Sequence, residues 1–133
     1  MTSTLDEGMS AEFRPFFDAL SVGRISFPRC AACSRFHWYP MHSCPHCGGG
    51  PIQWSNIDGS GTLYSWTTVY HGFAADPPRS LPYIVGLVEF ADAPGVRLIT
   101  NIVGTSSDRL FENMPLVPVI SSTPPPTVTF KPR

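Results

Sequence analysis

Charge is what this sequence has least of. Only 14% of its 133 residues are Asp, Glu, Lys or Arg, where a soluble domain ordinarily carries about a quarter. A surface so poor in charge points to partial cover by another protein. The basic residues are eight arginines and the single lysine Lys131, scattered along the chain, and the net charge is -1. Such a chain offers no positive track for a phosphate backbone, so no nucleic-acid partner is expected. Long hydrophobic runs are also missing. None reaches the roughly 20 apolar residues of a membrane span, and the start, MTSTLDEGMSAEF, has neither the cationic nor the apolar segment of a secretory signal. A cytoplasmic protein without membrane contact is expected. Catalytic motifs are absent in turn: there is no G-x-S-x-G elbow, no glycine-rich phosphate loop and no H-E-x-x-H. Ser60 between two glycines imitates an elbow only superficially, and the ten carboxylates form no paired motif. His71 is the one candidate base away from the cysteines and reads more simply as a structural histidine. No catalytic residue is expected, and the chain does not read as an enzyme on its own.

What is there divides the chain in order. Residues 1–10 hold too little apolar surface to offset the entropy of ordering and read as a disordered tail. Residues 11–23 read as a short amphipathic helix: Phe13, Phe16, Phe17 and Leu20 fall at i, i+3, i+4 and i+7, Pro15 is tolerable in a first turn, and Gly23 is placed to end it. That face serves either to cap the chain's own core or to meet a partner or an acyl chain. Residues 24–56 hold the cysteines. Residues 57–133 open with the turn signal Asp58-Gly59-Ser60-Gly61 and continue with strand-like runs at 62–71, 83–90, 96–103, 116–120 and 127–130. In the first run strict alternation places Tyr64, Trp66, Thr68 and Tyr70 on one face and Leu63, Ser65, Thr67 and Val69 on the other. A proline-bearing loop is expected over 72–81, and a polar, partly helical connection over 104–113. Pro124-Pro125-Pro126 reads as a stiff turn. Five short strands within roughly 70 residues fit a small closed barrel of the oligonucleotide/oligosaccharide-binding (OB) type, the fold class being mainly β.

All four cysteines stand in one pattern, Cys30-Ala-Ala-Cys33 and then Cys44-Pro-His-Cys47-Gly48. Two cysteines separated by two residues fold into a knuckle that points both sulfurs at one ion, and two knuckles complete a tetrahedron. In a reducing compartment disulfides rarely persist, so metal is the better reading. Zinc is favoured over iron, although sulfur ligation alone does not separate them. Cys30, Cys33, Cys44 and Cys47 would leave no open position for water or substrate, which makes the site structural rather than catalytic. His37, His42 and His46 lie within this segment and read as surface or supporting residues, because the cysteines already fill the tetrahedron.

Pro15-Phe16-Phe17, the cysteine quartet, Gly59-x-Gly61-Thr62-Leu63-Tyr64-Ser65-Trp66-Thr67, Pro82-Tyr83 and Phe130-Lys131-Pro132 together resemble the family named domain of unknown function 35 (DUF35). The resemblance runs from residue 13 nearly to the end. It departs at Ser34, where the family usually has glycine, at Tyr39-Pro40-Met41 in place of Pro-Pro-Arg, and at Asn113-Met114-Pro115. It implies an N-terminal helix, a rubredoxin-like zinc ribbon and a five-stranded OB-fold barrel. It also implies a non-catalytic partner of a thiolase-superfamily enzyme, a thiolase or an acyl-CoA aldolase of steroid or aromatic degradation, with acyl-CoA as a ligand of the complex. The rival readings are a single-strand nucleic-acid binder stacking bases on Tyr64, Trp66 and Tyr70, a rubredoxin-like electron carrier, and a free-standing acyl-CoA hydrolase or aldolase using His71. The charge balance disfavours the first.

Overall fold

The computed structural model describes residues 11–71 and 81–133. The expected tail, 1–10, and all of the expected proline-bearing loop except Leu81 lie outside the described residues. After a 3-10 turn at Ala11–Phe13, helix α1 spans Arg14–Ser21. Pro15 sits in its first turn, where no amide is needed. Gly23 ends it at φ 77, and the amides of Gly23 and Arg24 donate to the carbonyls of Leu20 and Ala19 at 3.0 and 2.9 Å. Phe16 and Leu20 are buried and Phe13 and Phe17 half-buried, so this face caps the chain's own core.

Strands β1 (Ile25–Cys30) and β2 (Ile52–Ile57) pair antiparallel, from Ile25 opposite Ile57 to Cys30 opposite Ile52. The cysteine segment is held between them. Five strands follow: β3 (Gly61–Val69), β4 (Tyr83–Glu89), β5 (Arg97–Ile102), β6 (Pro115–Ser121) and β7 (Thr127–Pro132). They close in the order β3-β4-β5-β7-β6, with β5 and β7 parallel and the other neighbours antiparallel. That is the order of an OB barrel, and closure removes most of the edges an open sheet would expose. The connection between β5 and β6 contains a single 3-10 turn, Ser107–Arg109.

The alternation expected for β3 fails at Tyr64. Leu63 is opposite Val88 and Ser65 opposite Leu87, leaving Tyr64 as the extra residue of a β-bulge. A bulge shifts the side-chain period by one. Leu63 points into the barrel before it and Trp66 after it, where the indole packs on the core opposite the side-chain-free Gly86. Tyr64 turns outward beneath Arg97, whose guanidinium carbon lies 3.9 Å from the ring centroid. Tyr64, Trp66 and Tyr70 therefore do not share one stacking face.

The core is continuous from ribbon to barrel. Phe27, fully buried, contacts Phe16 and Trp38 at centroid distances of 6.0 and 5.3 Å and Phe90 at 5.2 Å; Phe90 meets Phe130 at 5.7 Å. Helix, ribbon and barrel share this aromatic chain.

Candidate metal centre

The two knuckles have the same local geometry. The amide of Ser34 donates to the Cys30 carbonyl and that of Gly48 to the Cys44 carbonyl, both at 2.9 Å. In each knuckle an amide also points at the first sulfur, Cys33 N to Cys30 Sγ at 3.5 Å and His46 N to Cys44 Sγ at 3.3 Å. Each turn then closes through a residue with positive φ, Ser34 at 66 and Gly48 at 73. Gly48 adopts that region freely, whereas for a residue with a Cβ it costs about 1–2 kcal/mol. Ser34→Gly is expected to stabilise the metal-loaded protein by about 0.5–1 kcal/mol, the gain being reduced by glycine's greater freedom when unfolded. The check is the urea midpoint, and an unchanged or lower midpoint contradicts it.

The knuckles bring together all four sulfurs, every pair of them within 4.8 Å. Cys30 to Cys47 measures 3.7 Å and Cys33 to Cys44 3.6 Å. Four sulfurs at about 2.3 Å from a central zinc ion stand about 3.8 Å apart, so the donor set fits a tetrahedral thiolate site. Cys30 and Cys44 are buried, while Cys33 is intermediate and Cys47 exposed. Burial would raise the Cys44 thiol, but the amides of Cys47 and His46 and the neighbouring thiols outweigh it and hold Cys44 at about 6. The amide of Cys33 leads in lowering Cys30. The Gly49 backbone acts to lower Cys47, yet the thiols of Cys30 and Cys44 and burial prevail and push it up to about 11.

Gly50 was not singled out by the sequence. It has φ 76, and a Cβ there would lie 2.6 Å from the Ala32 Cβ and 3.3 Å from Cys30 Sγ. The chain leaving the second knuckle therefore passes directly against the first. Only the run of three glycines, Gly48 to Gly50, that follows the second knuckle could have hinted at it.

The histidines take three different positions. His42 is exposed and 3.0 Å from Glu12, tying the ribbon to the start of the helix. His46 Nε2 lies 3.1 Å from the Phe36 carbonyl. His37 is buried rather than on the surface, and among the described residues neither ring nitrogen has a hydrogen-bond partner. Burial lowers its pKa, with a further contribution from His46. His71 lies on the surface beyond the end of β3. No helix among the described residues is long and apolar enough to cross a membrane.

The family described as ChsH2, rubredoxin-like zinc ribbon domain, matches residues 17–53, and that described as ChsH2, C-terminal OB-fold domain, matches residues 54–120. A Thermomonospora curvata protein named probable enoyl-CoA hydratase alpha subunit is 36% identical over 104 residues, which are 77% of this chain and 31% of the relative. The chain thus spans about a third of the length of that curated relative. Among solved structures, a chain of an Ltp2-ChsH2(DUF35) aldolase is 31% identical, with a TM-score of 0.82 over 94% of this chain and 97% of the other. A DUF35 protein with unknown function from Sulfolobus solfataricus, at 20% identity and TM-score 0.67 over 96% and 89%, shares the fold.

Proposed function

This chain belongs to the ChsH2 family of DUF35 proteins, and from that premise we propose that it is a non-catalytic accessory subunit of an acyl-CoA enzyme. The partner is a thiolase-superfamily protein, a thiolase or an acyl-CoA aldolase, in acyl-CoA metabolism such as steroid or aromatic degradation. The carrying observation is the likeness to the aldolase chain, which extends over almost the full length of both proteins and not over an isolated module. The charge-poor composition supports the reading, because a surface with few charges loses little hydration when a partner covers it. Cys30, Cys33, Cys44 and Cys47 hold a structural zinc ion in this reading, all ligands coming from the chain. The ion organises the ribbon and takes no part in turnover. Acyl-CoA is a ligand of the complex, and the reacting groups belong to the enzyme.

Co-expression with the thiolase-superfamily protein encoded nearest to it is expected to give a complex that survives gel filtration, with enzyme activity or stability falling when this chain is omitted. Separate elution, with the enzyme fully active alone, would overturn the proposal. The Thermomonospora relative's name favours a second reading in which the partner is an enoyl-CoA hydratase. The same experiment with a hydratase-like neighbour decides between the two.

A further inference from the structure

Strand β3 outruns its neighbour. Its pairing with β6 ends at Gly61 and Thr62, and the Leu63 amide and carbonyl are still taken up by Met114 and Asn113 at 3.0 and 2.8 Å. Beyond the bulge, Ser65–Val69 pairs with β4 on one side, and on the other no strand of the described residues pairs with it. Every second residue of this stretch therefore turns its amide and carbonyl to an edge that no strand of the described residues covers. The sequence there, Ser-Trp-Thr-Thr-Val, carries no charge and no proline, two of the devices that protect an edge, and the bulge at Tyr64 lies before it. The adjoining outer face is equally uncharged: Ser65, Thr67, Val85, Leu87 and Ile99 line a shallow cleft of about 210 Å³ with Trp66, and Ile99 is 55% exposed. Among the described residues charge returns at one end, where Arg97 stacks on the bulged Tyr64 and binds Glu89 at 3.2 Å.

We propose that the Ser65–Val69 edge is a docking site for an extended, uncharged segment of the partner enzyme, which adds to the sheet beside β3. Its β-branched or aromatic side chains lie next to the Val85, Leu87 and Ile99 patch. This rests on the accessory-subunit reading and gives it a location. The backbone of an edge recognises extended chain and nothing else, and the uncharged strip selects a segment without Lys, Arg, Asp or Glu. Length argues against a second copy of this chain as the occupant. Five residues span about 17 Å at about 3.4 Å each, and a seam one strand wide falls far below the roughly 1,200 Å² that a stable dimer buries. An extended segment needs only such a seam and the patch beside it.

The test uses the full chain with its thiolase-superfamily partner and compares wild type with the double variant Ser65→Lys/Thr67→Lys. Both side chains are exposed, so zinc content and melting temperature should match wild type. The Kd of the complex is expected to rise at least tenfold, while Val119→Lys, on exposed β6, leaves it unchanged. In the wild-type complex, amide exchange within residues 65–69 should slow at least tenfold. A double variant that binds as tightly as wild type, with exchange unaltered, overturns the docking site and leaves the accessory role standing. A wild-type chain that runs alone as a dimer and is split by the double variant assigns the edge to self-pairing and overturns it too. Separate elution of wild type and enzyme overturns the accessory role and this site with it.

Discussion

Replacing Cys44 with serine is expected to abolish metal binding and, with it, the fold of the ribbon. Cys44 is buried, and two backbone amides hold its thiol at about 6, so at neutral pH it supplies thiolate readily. A serine hydroxyl in the same place is a harder ligand and stays protonated, which leaves three donors for a site that needs four. Structural zinc in small modules contributes on the order of 10 kcal/mol or more to folding, as much as the whole stability of a typical domain, about 5–15 kcal/mol. Residues 31–51 contain no strand or helix of their own, and besides the ion they are held by the packing of Phe36 and Trp38 on the core and by a few backbone hydrogen bonds. Zinc content should fall from one per chain to below a tenth, and limited proteolysis should cut within residues 31–51. A strong chelator should have the same effect on wild type. Because every thiol that binds must lose its proton, and Cys47 is pushed up to about 11, zinc affinity in wild type should fall steadily as the pH is lowered through the neutral range, and more steeply below about 6, where Cys44 is protonated as well. A serine variant that keeps stoichiometric zinc and wild-type protease resistance would remove Cys44 from the ligand set. Iron in place of zinc would show at once as colour.

The legible and illegible parts of this molecule separate by the range of the forces involved. The cysteine quartet could be read because a knuckle is a local device: two residues between sulfurs, and a permissive residue after the second. The helix was legible for the same reason, since Phe16 and Leu20 lie one turn apart and bury the same side. Strand existence followed from β-branched and aromatic runs, and the barrel from their number and spacing. The bulge at Tyr64 had no such signature. It depends on how Leu63 and Ser65 register against β4, and one inserted residue reverses every inward assignment after it. Gly50 was invisible because its requirement comes from Ala32, eighteen positions earlier in sequence and 2.6 Å from a Cβ that is not there. His37 and Trp38 lie in a segment with no periodicity, so nothing in the order of residues shows that one is buried between elements and the other is stacked among Phe13, Phe16 and Phe27. The union of ribbon and barrel through aromatic rings was likewise beyond a reading that treated them as successive modules.

That union makes Phe27→Ala the most informative change outside the metal site. Phe27 lies on β1 of the ribbon with no exposed surface, and its ring touches the helix through Phe16, the cysteine segment through Trp38 and the barrel through Phe90. Truncating a buried phenylalanine to alanine costs about 3–5 kcal/mol, part of it transfer and part the cavity left behind. At this size such a loss corresponds to a fall in Tm of about 15 °C. The position of Phe27 adds a second, sharper expectation. In wild type, zinc release and barrel unfolding should coincide as one transition, because the ring chain from Trp38 to Phe130 packs across both. In the alanine variant the contact between halves is lost while the zinc site, held by its own ligands, is intact. The barrel should then melt at lower temperature with zinc still bound. Calorimetry combined with a zinc-release dye resolves the two events. Phe27→Leu, which keeps most of the volume, should lose less than half as much and preserve the single transition. If Phe27→Ala melts as one event within a few degrees of wild type, the rings are adjacent without being coupled, and the ribbon and barrel are independent folding units.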